Sequence, residues 1–269
     1  MRILAKARSA FGLISVCFGL LVGACDNTPD QPSSALGRFD TMAYAGQPSA
    51  ANVPSMSLLA PTSWKAVTVG ADRSLTLYDN AATDMAGQLQ AAGARVSVLH
   101  AGNGSARRDN IRGALRGLGR QPGEACLVFV TSHGNTRGLQ FQTEGGRTLS
   151  PSELDRMVDA ECGDAPTVLI LSGCHSGTYV TSRLTAPNRI VITASSRGRV
   201  SYGAKMSERH VNFDRCILKA MNEGATTWAD VFARARACAA EREAWLGVSP
   251  SDPQASFGRN VAQLRLPGR

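Results

Sequence analysis

Two stretches decide the fold: Leu127-Val128-Phe129-Val130-Thr131-Ser132-His133-Gly134 and Val168-Leu169-Ile170-Leu171-Ser172-Gly173-Cys174-His175-Ser176-Gly177. Each begins with an apolar run that does not alternate, the pattern of a strand buried on both faces of a parallel sheet. Each then breaks into small residues that carry one reactive side chain, His133 or Cys174. Working outward, Ala66-Val67-Thr68-Val69, Val96-Ser97-Val98-Leu99 and Ile190-Val191-Ile192 read as further strands. Helical spacing lies between them: Met85, Leu89 and Ala92; Ile111, Ala114, Leu115 and Leu118 behind Asp109; Leu154, Met157 and Val158 behind the capping box Ser150-Pro151-Ser152-Glu153. Leu139-Gln140-Phe141-Gln142 alternates before Glu144-Gly145-Gly146, as a small hairpin does. A helix behind Thr227 presents Trp228, Val231, Phe232 and Ala235 on one face, and Val261 to Leu266 reads as a last strand. The fold class is therefore α/β, a mainly parallel sheet with helices on both faces and its ligand edge at the carboxyl ends of the strands.

The chain has 269 residues, 43% hydrophobic and 19% charged, enough to bury a core without depending on disulfides. Its first segment reads as an address. Met1 to Arg8 carries three positive charges, Ala10 to Val22 is apolar, and Leu21-Val22-Gly23-Ala24 ends in small residues. That apolar run is too short for a membrane span. Residues 1–24 are read as a signal peptide and 25–61, rich in Pro, Ser and Ala, as a flexible tether. Residues 62–269 are read as the domain. The formal charge of +8 includes Arg2, Lys6 and Arg8, so the mature chain carries +5, weak support for a nucleic-acid partner, and none is expected.

Chemistry gathers at the two strand ends. A partly ionised thiol attacks carbonyls and an imidazole titrates near neutrality, so Cys174 and His133 on neighbouring strand ends supply nucleophile and proton donor. Gly134 and Gly173 permit close backbone approach, and N–H groups there are placed to hold an oxyanion. Gly-x-Ser-x-Gly would need Ser at position 175, which is His, so the pattern is not that of a serine hydrolase. His175 beside Cys174 is not joined by further ligands at zinc spacing, and no metal or cofactor is expected. Gly102-Asn103-Gly104 reads as a turn rather than a phosphate loop.

An apolar strand ending in Thr131-Ser132-His133-Gly134, then one ending in Ser172-Gly173-Cys174-His175-Ser176-Gly177, resembles the caspase-like cysteine peptidases, most closely the bacterial legumain-type (C13) branch. Metacaspases are the nearest rival, but they usually carry Asp two residues before the nucleophile, where this chain has Ser172. Ile192-Thr193-Ala194-Ser195-Ser196 leading to Ser201-Tyr202-Gly203 is similar to the legumain block that follows the nucleophile, and Pro253-Gln254 and Gly258 also look familiar. The resemblance implies a caspase-like three-layer sandwich with a six-stranded, mainly parallel sheet. It implies a Cys174–His133 dyad, an oxyanion site at the Gly134 and Cys174 N–H groups, and substrate contacts from Ser172, Ser201 and Tyr202. The family's acidic residue at the Ser172 position is missing, Asp79-Asn80 stands where legumain has an Arg-His pair, and the Asp after the Ser-Tyr block is read as replaced by His210. An Asn preference is therefore not carried over. Leu21-Val22-Gly23-Ala24-Cys25 resembles the bacterial lipoprotein signal. That implies acylation of Cys25, a bilayer as partner, and a place in the cell envelope facing the periplasm; Asp26 favours the inner membrane. Ordinary cleavage, with Cys25 a bystander, is the alternative.

Of seven cysteines, five remain once Cys17 and Cys25 are set aside. An odd number in an oxidising compartment leaves one over. Cys126 and Cys162 precede the two reactive strands and are read as a bridge; Cys216 and Cys238 are read as stapling the terminal helices. Cys174 is then the one remaining thiol. The chain is read as a membrane-anchored cysteine endopeptidase that cleaves a protein or peptide substrate through a thioester. The alternatives are a transpeptidase, a catalytically silent binding protein of the same fold, or a module binding anionic lipid or cell wall.

Overall fold

The structure, a computed structural model, describes residues 60–203 and 208–269. The signal peptide, most of the tether and Cys25 lie outside the described residues.

Strand β1 (Ser63–Gly70) leads to α1 (Thr76–Ala91), β2 (Arg95–His100), α2 (Arg108–Gly117) and β3 (Glu124–Thr131). A small antiparallel unit follows, β4 (Gly134–Asn135), β5 (Gly138–Phe141) and β6 (Arg147–Leu149), then α3 (Pro151–Cys162), β7 (Thr167–Ser172) and β8 (Arg189–Thr193). Helices α4 (Asn212–Asn222) and α5 (Trp228–Leu246) precede β9 (Gln254–Phe257). The main sheet runs β2-β1-β3-β7-β8-β9, with every pair parallel except β8 with β9. This is the expected six-stranded, mainly parallel α/β sheet.

Alternation within the buried strands divides their side chains between two layers. Ala66, Leu127, Phe129, Val168 and Ile170 face α1, α4 and α5, while Val67, Val69, Val128, Val130, Leu169 and Leu171 face α2 and α3. Both faces are covered, which is why the runs carry no polar alternation. The cap before α3 forms only in part. Ser150 Oγ accepts the Glu153 N–H at 3.2 Å, but the Glu153 carboxylate turns away to accept from Arg108 at 3.0 Å.

The last strand is not where the apolar residues suggest. Val261, Leu264 and Leu266 are buried through turns and a single antiparallel bridge, Thr227 to Arg265, and the sheet is completed instead by β9. None of the described helices is long and apolar enough to cross a membrane.

Candidate active site

The chain leaves β1 for α1 and β2 on one side of the sheet, then returns to β3 on the other, so β1 and β3 flank the point where strand order reverses. Ligands of open α/β sheets bind beyond the carboxyl ends of such strands. Register places the two reactive residues there together. Thr131 is paired with Ser172, the last residues of β3 and β7, and Ser132 N–H continues the ladder to Ser172 O at 3.0 Å. His133 and Cys174 each follow two residues past that pair.

The backbones carrying them are in close contact. A Cβ on Gly134 would meet Cys174 O at 2.2 Å, and one on Gly173 would meet Ser132 O at 2.4 Å. Glycine is the residue that fits both places, because any side chain would drive the two turns apart. His175, just past Cys174, holds φ 57°, a left-handed conformation that ordinary residues seldom adopt. Its N–H donates to Arg199 O at 2.8 Å and its Nδ1 lies 3.0 Å from Arg197 O, so the turn is fixed by the segment running on to Ser201. Cys174 Sγ is buried 3.4 Å from Ser201 O. Tyr202 is half-buried beside it, with its carbonyl accepting the Asn212 N–H.

Ser172, read as a substrate contact, is the last residue of β7. It is buried and turned toward the carboxylate of Asp214, at the start of α4. Thr131 Oγ1 donates to Asp214 Oδ2 at 2.6 Å, whereas Ser172 Oγ and Asp214 Oδ1 have no hydrogen-bond partner among the described residues. Burial pushes the Asp214 carboxyl up to about 6, against the pull of the Ser172 and Thr131 hydroxyls. His210, read as replacing the acid after the Ser-Tyr block, has its Nε2 2.6 Å from Asp84, which also pairs with Arg209. The Arg209 hydrogen bond, against the cost of burial and with help from His210, holds Asp84 below the usual carboxylate range.

Asp79 and Asn80 lie on α1. Asp79 accepts from the N–H groups of Ala101 and Gly102 at 3.1 and 3.0 Å, tying α1 to the turn after β2, and Asn80 donates to Arg209 O. Residues 101–104 form that turn. Two neighbours of His133, and a third residue that holds one of them, were missing from the sequence reading. Ser74 Oγ lies 3.3 Å from His133 Nε2, and the ring of Tyr78 packs edge-on against the imidazole with centroids 5.5 Å apart. Asp72, buried, accepts the Ser74 N–H at 2.7 Å.

Cys126 is bridged to Cys162, joining β3 to α3, and Cys216 to Cys238, joining α4 to α5. No group of three or more His, Cys, Asp and Glu side chains placed to hold a metal occurs among the described residues.

A crystal structure of caspase-1 from Spodoptera frugiperda matches this fold with a TM-score of 0.54 at 14% identity, over 77% of this chain and 94% of that one. Comparison with curated protein sequences finds no match. A caspase-like sheet with Cys and His at adjacent strand ends defines the class, a cysteine-type peptidase. The chain belongs to the Peptidase C13 family, whose pattern matches residues 73–244.

Proposed function

We propose that Cys174 and His133 act as a catalytic dyad on protein or peptide substrates. The observation that carries this reading is the register of β3 with β7, which delivers both residues two positions past one paired end. The Cys174 thiolate attacks the scissile carbonyl, and the oxyanion is held by the Gly134 and Cys174 N–H groups. His133 then protonates the departing amine, leaving a thioester that water hydrolyses. Transfer to an amine instead of water would make the same site a transpeptidase. Ser201 and Tyr202 flank the nucleophile where a substrate side chain would enter, and Ser172 closes the end of the strand that carries it.

The address segment supports a place outside the cytoplasm, held to the bilayer through acylated Cys25, in the inner membrane by the rule at Asp26. Cys25→Ser is expected to move the chain from the membrane to the soluble envelope fraction, and globomycin to block its maturation; an unchanged distribution would reject the anchor.

For the chemistry, the reduced full chain in detergent is treated with a library of peptide acyloxymethylketones and mapped by mass spectrometry. Selective modification of Cys174, abolished in His133→Ala, is the expected result. The burial of Cys174, with its Sγ 3.4 Å from Ser201 O, favours one other reading, a catalytically silent binding protein of the same fold. Absence of probe labelling in the reduced chain, with Cys174 still alkylated by iodoacetamide, would establish that reading instead.

A further inference from the structure

An imidazole can pass a proton between thiol and leaving amine only while one ring nitrogen faces the sulfur and the other is held; which nitrogen carries the proton is set by the second partner. In this chain the holder comes from the turn after β1, on the far side of His133 from Cys174 in strand order β1-β3-β7. That turn is tied down at several points. Ala71 N–H donates to Thr131 O at 2.9 Å, Gln142 N–H to Ala71 O at 3.0 Å, and Arg73 N–H to Gln142 Oε1 at 2.9 Å. Asp72, 4% exposed, takes the Ser74 N–H. The Ser74 hydroxyl is thereby set 3.3 Å from His133 Nε2. Tyr78 closes another side: its ring is 1% exposed and meets the imidazole at an interplanar angle of 68°. Its hydroxyl has no hydrogen-bond partner among the described residues, so what it offers His133 is the ring edge and its bulk.

We propose that Ser74 and Tyr78 are positioning residues for His133: Ser74 Oγ accepts the Nε2–H, leaving Nδ1 to the Cys174 thiol, and the Tyr78 ring bars the imidazole from turning away. The assignment rests on the dyad reading above. Ser74 is exposed, so its loss admits water without emptying the core, while Tyr78→Phe keeps the ring and Tyr78→Leu removes it. In the neutral imidazole the proton resides on Nε2. During acylation Nδ1 takes the thiol proton and then gives it to the amine, so Nε2–H stays bonded to Ser74 throughout and no further group is needed to balance the step.

The test uses the reduced full chain and a biotinylated peptide acyloxymethylketone, with the maximal inactivation rate, kinact, separated from the probe's binding constant, KI. Loss of a partner that orients a metal-bound histidine typically costs about 10- to 100-fold, and the same order is expected for a histidine that moves a proton. Ser74→Ala and Tyr78→Leu are expected to lower kinact by that order with KI changed less than about twofold, whereas Ser74→Thr and Tyr78→Phe restore it to within about threefold. Ring nitrogen chemical shifts of His133 give a readout independent of turnover: Nε2–H in the wild type, and a mixture of tautomers in Ser74→Ala. If His133→Ala reacts with the probe as fast as wild type, the dyad reading and this assignment both fall. If His133→Ala is inert while Ser74→Ala keeps wild-type kinact and the Nε2–H tautomer, the assignment alone is overturned.

Discussion

Asp214 shows how far packing can move a single residue from its sequence meaning. An aspartate in the first turn of a helix is ordinarily a solvated partner of the helix dipole. Here it is fully buried, with its carboxyl pushed up to about 6 by burial while the Ser172 and Thr131 hydroxyls pull the other way. Below its usual value of 3.8 the group is protonated folded or unfolded; between there and about 6 the native state alone keeps the proton. Its contribution to stability is therefore fully present below pH 3.8 and is lost as pH rises through 6, about 3 kcal/mol in all. Asp214→Asn should remove that dependence. Urea midpoints at pH 4 and pH 7.5 are expected to converge for the variant and diverge for wild type; parallel behaviour would mean that Asp214 is ionised in the native state at both. The residue was legible in principle, since it lies three, four and seven positions before Ile217, Leu218 and Met221 on the apolar face of α4. His133 and Cys174 stood out because reactive groups followed uninterrupted apolar runs. Ser74 and Tyr78 did not, because a serine in a turn and an aromatic in a helix have no pattern of their own until β1 and β3 are placed side by side.

At the scale of elements, the buried parallel strands were readable and the edge strand was not. β3, β7 and β8 are covered on both faces, so hydrophobicity marks them directly. Gln254-Ala255-Ser256-Phe257 lies half-buried at the sheet edge with little β-branched character, and its place is decided by pairing to β8 and not by its own composition. β8 carries the clearest energetic test. Arg189 is buried between Asp155, at 2.7 Å, and Asp159, tying the start of β8 to α3. Desolvating such a pair consumes much of its attraction, yet removing one partner strands the other. Arg189→Met is expected to cost about 3 kcal/mol, read as a lower urea midpoint at unchanged slope. The double variant Arg189→Met/Asp155→Leu should recover most of that loss, because no buried charge is then left alone. If the double variant is as unstable as the sum of its single changes, the pair contributes through geometry that apolar side chains do not reproduce.

At the scale of the whole molecule, the two disulfides among the described residues lie on opposite faces of the sheet. Cys126–Cys162 closes a separation of 36 residues and fastens β3 to α3; Cys216–Cys238 closes 22 and fastens α4 to α5. In the chain-entropy account these contribute about 4 and about 3 kcal/mol. A domain's total stability is only about 5 to 15 kcal/mol, so together they supply a large share of it. They share no element and belong to different core clusters, so their losses should add to within about 0.5 kcal/mol. Cys126→Ala/Cys162→Ala, Cys216→Ala/Cys238→Ala and the fourfold variant test this by urea unfolding under one condition. Additive losses would mean that the two helical layers are held independently, and a fourfold loss well below the sum would mean that releasing one layer already loosens the other. The outcome bears on catalysis, because a nucleophilic thiol acts only in its reduced form while the sulfurs that hold the layers must stay oxidised. Cys126, Cys162 and Cys216 are buried, and reductant reaches a disulfide only where a thiolate can approach its sulfur. Native wild type treated with a thiol reductant is therefore expected to label with the probe at Cys174 with no fall in its urea midpoint, whereas the same reductant applied in partly denaturing urea should lower the midpoint to that of the fourfold variant.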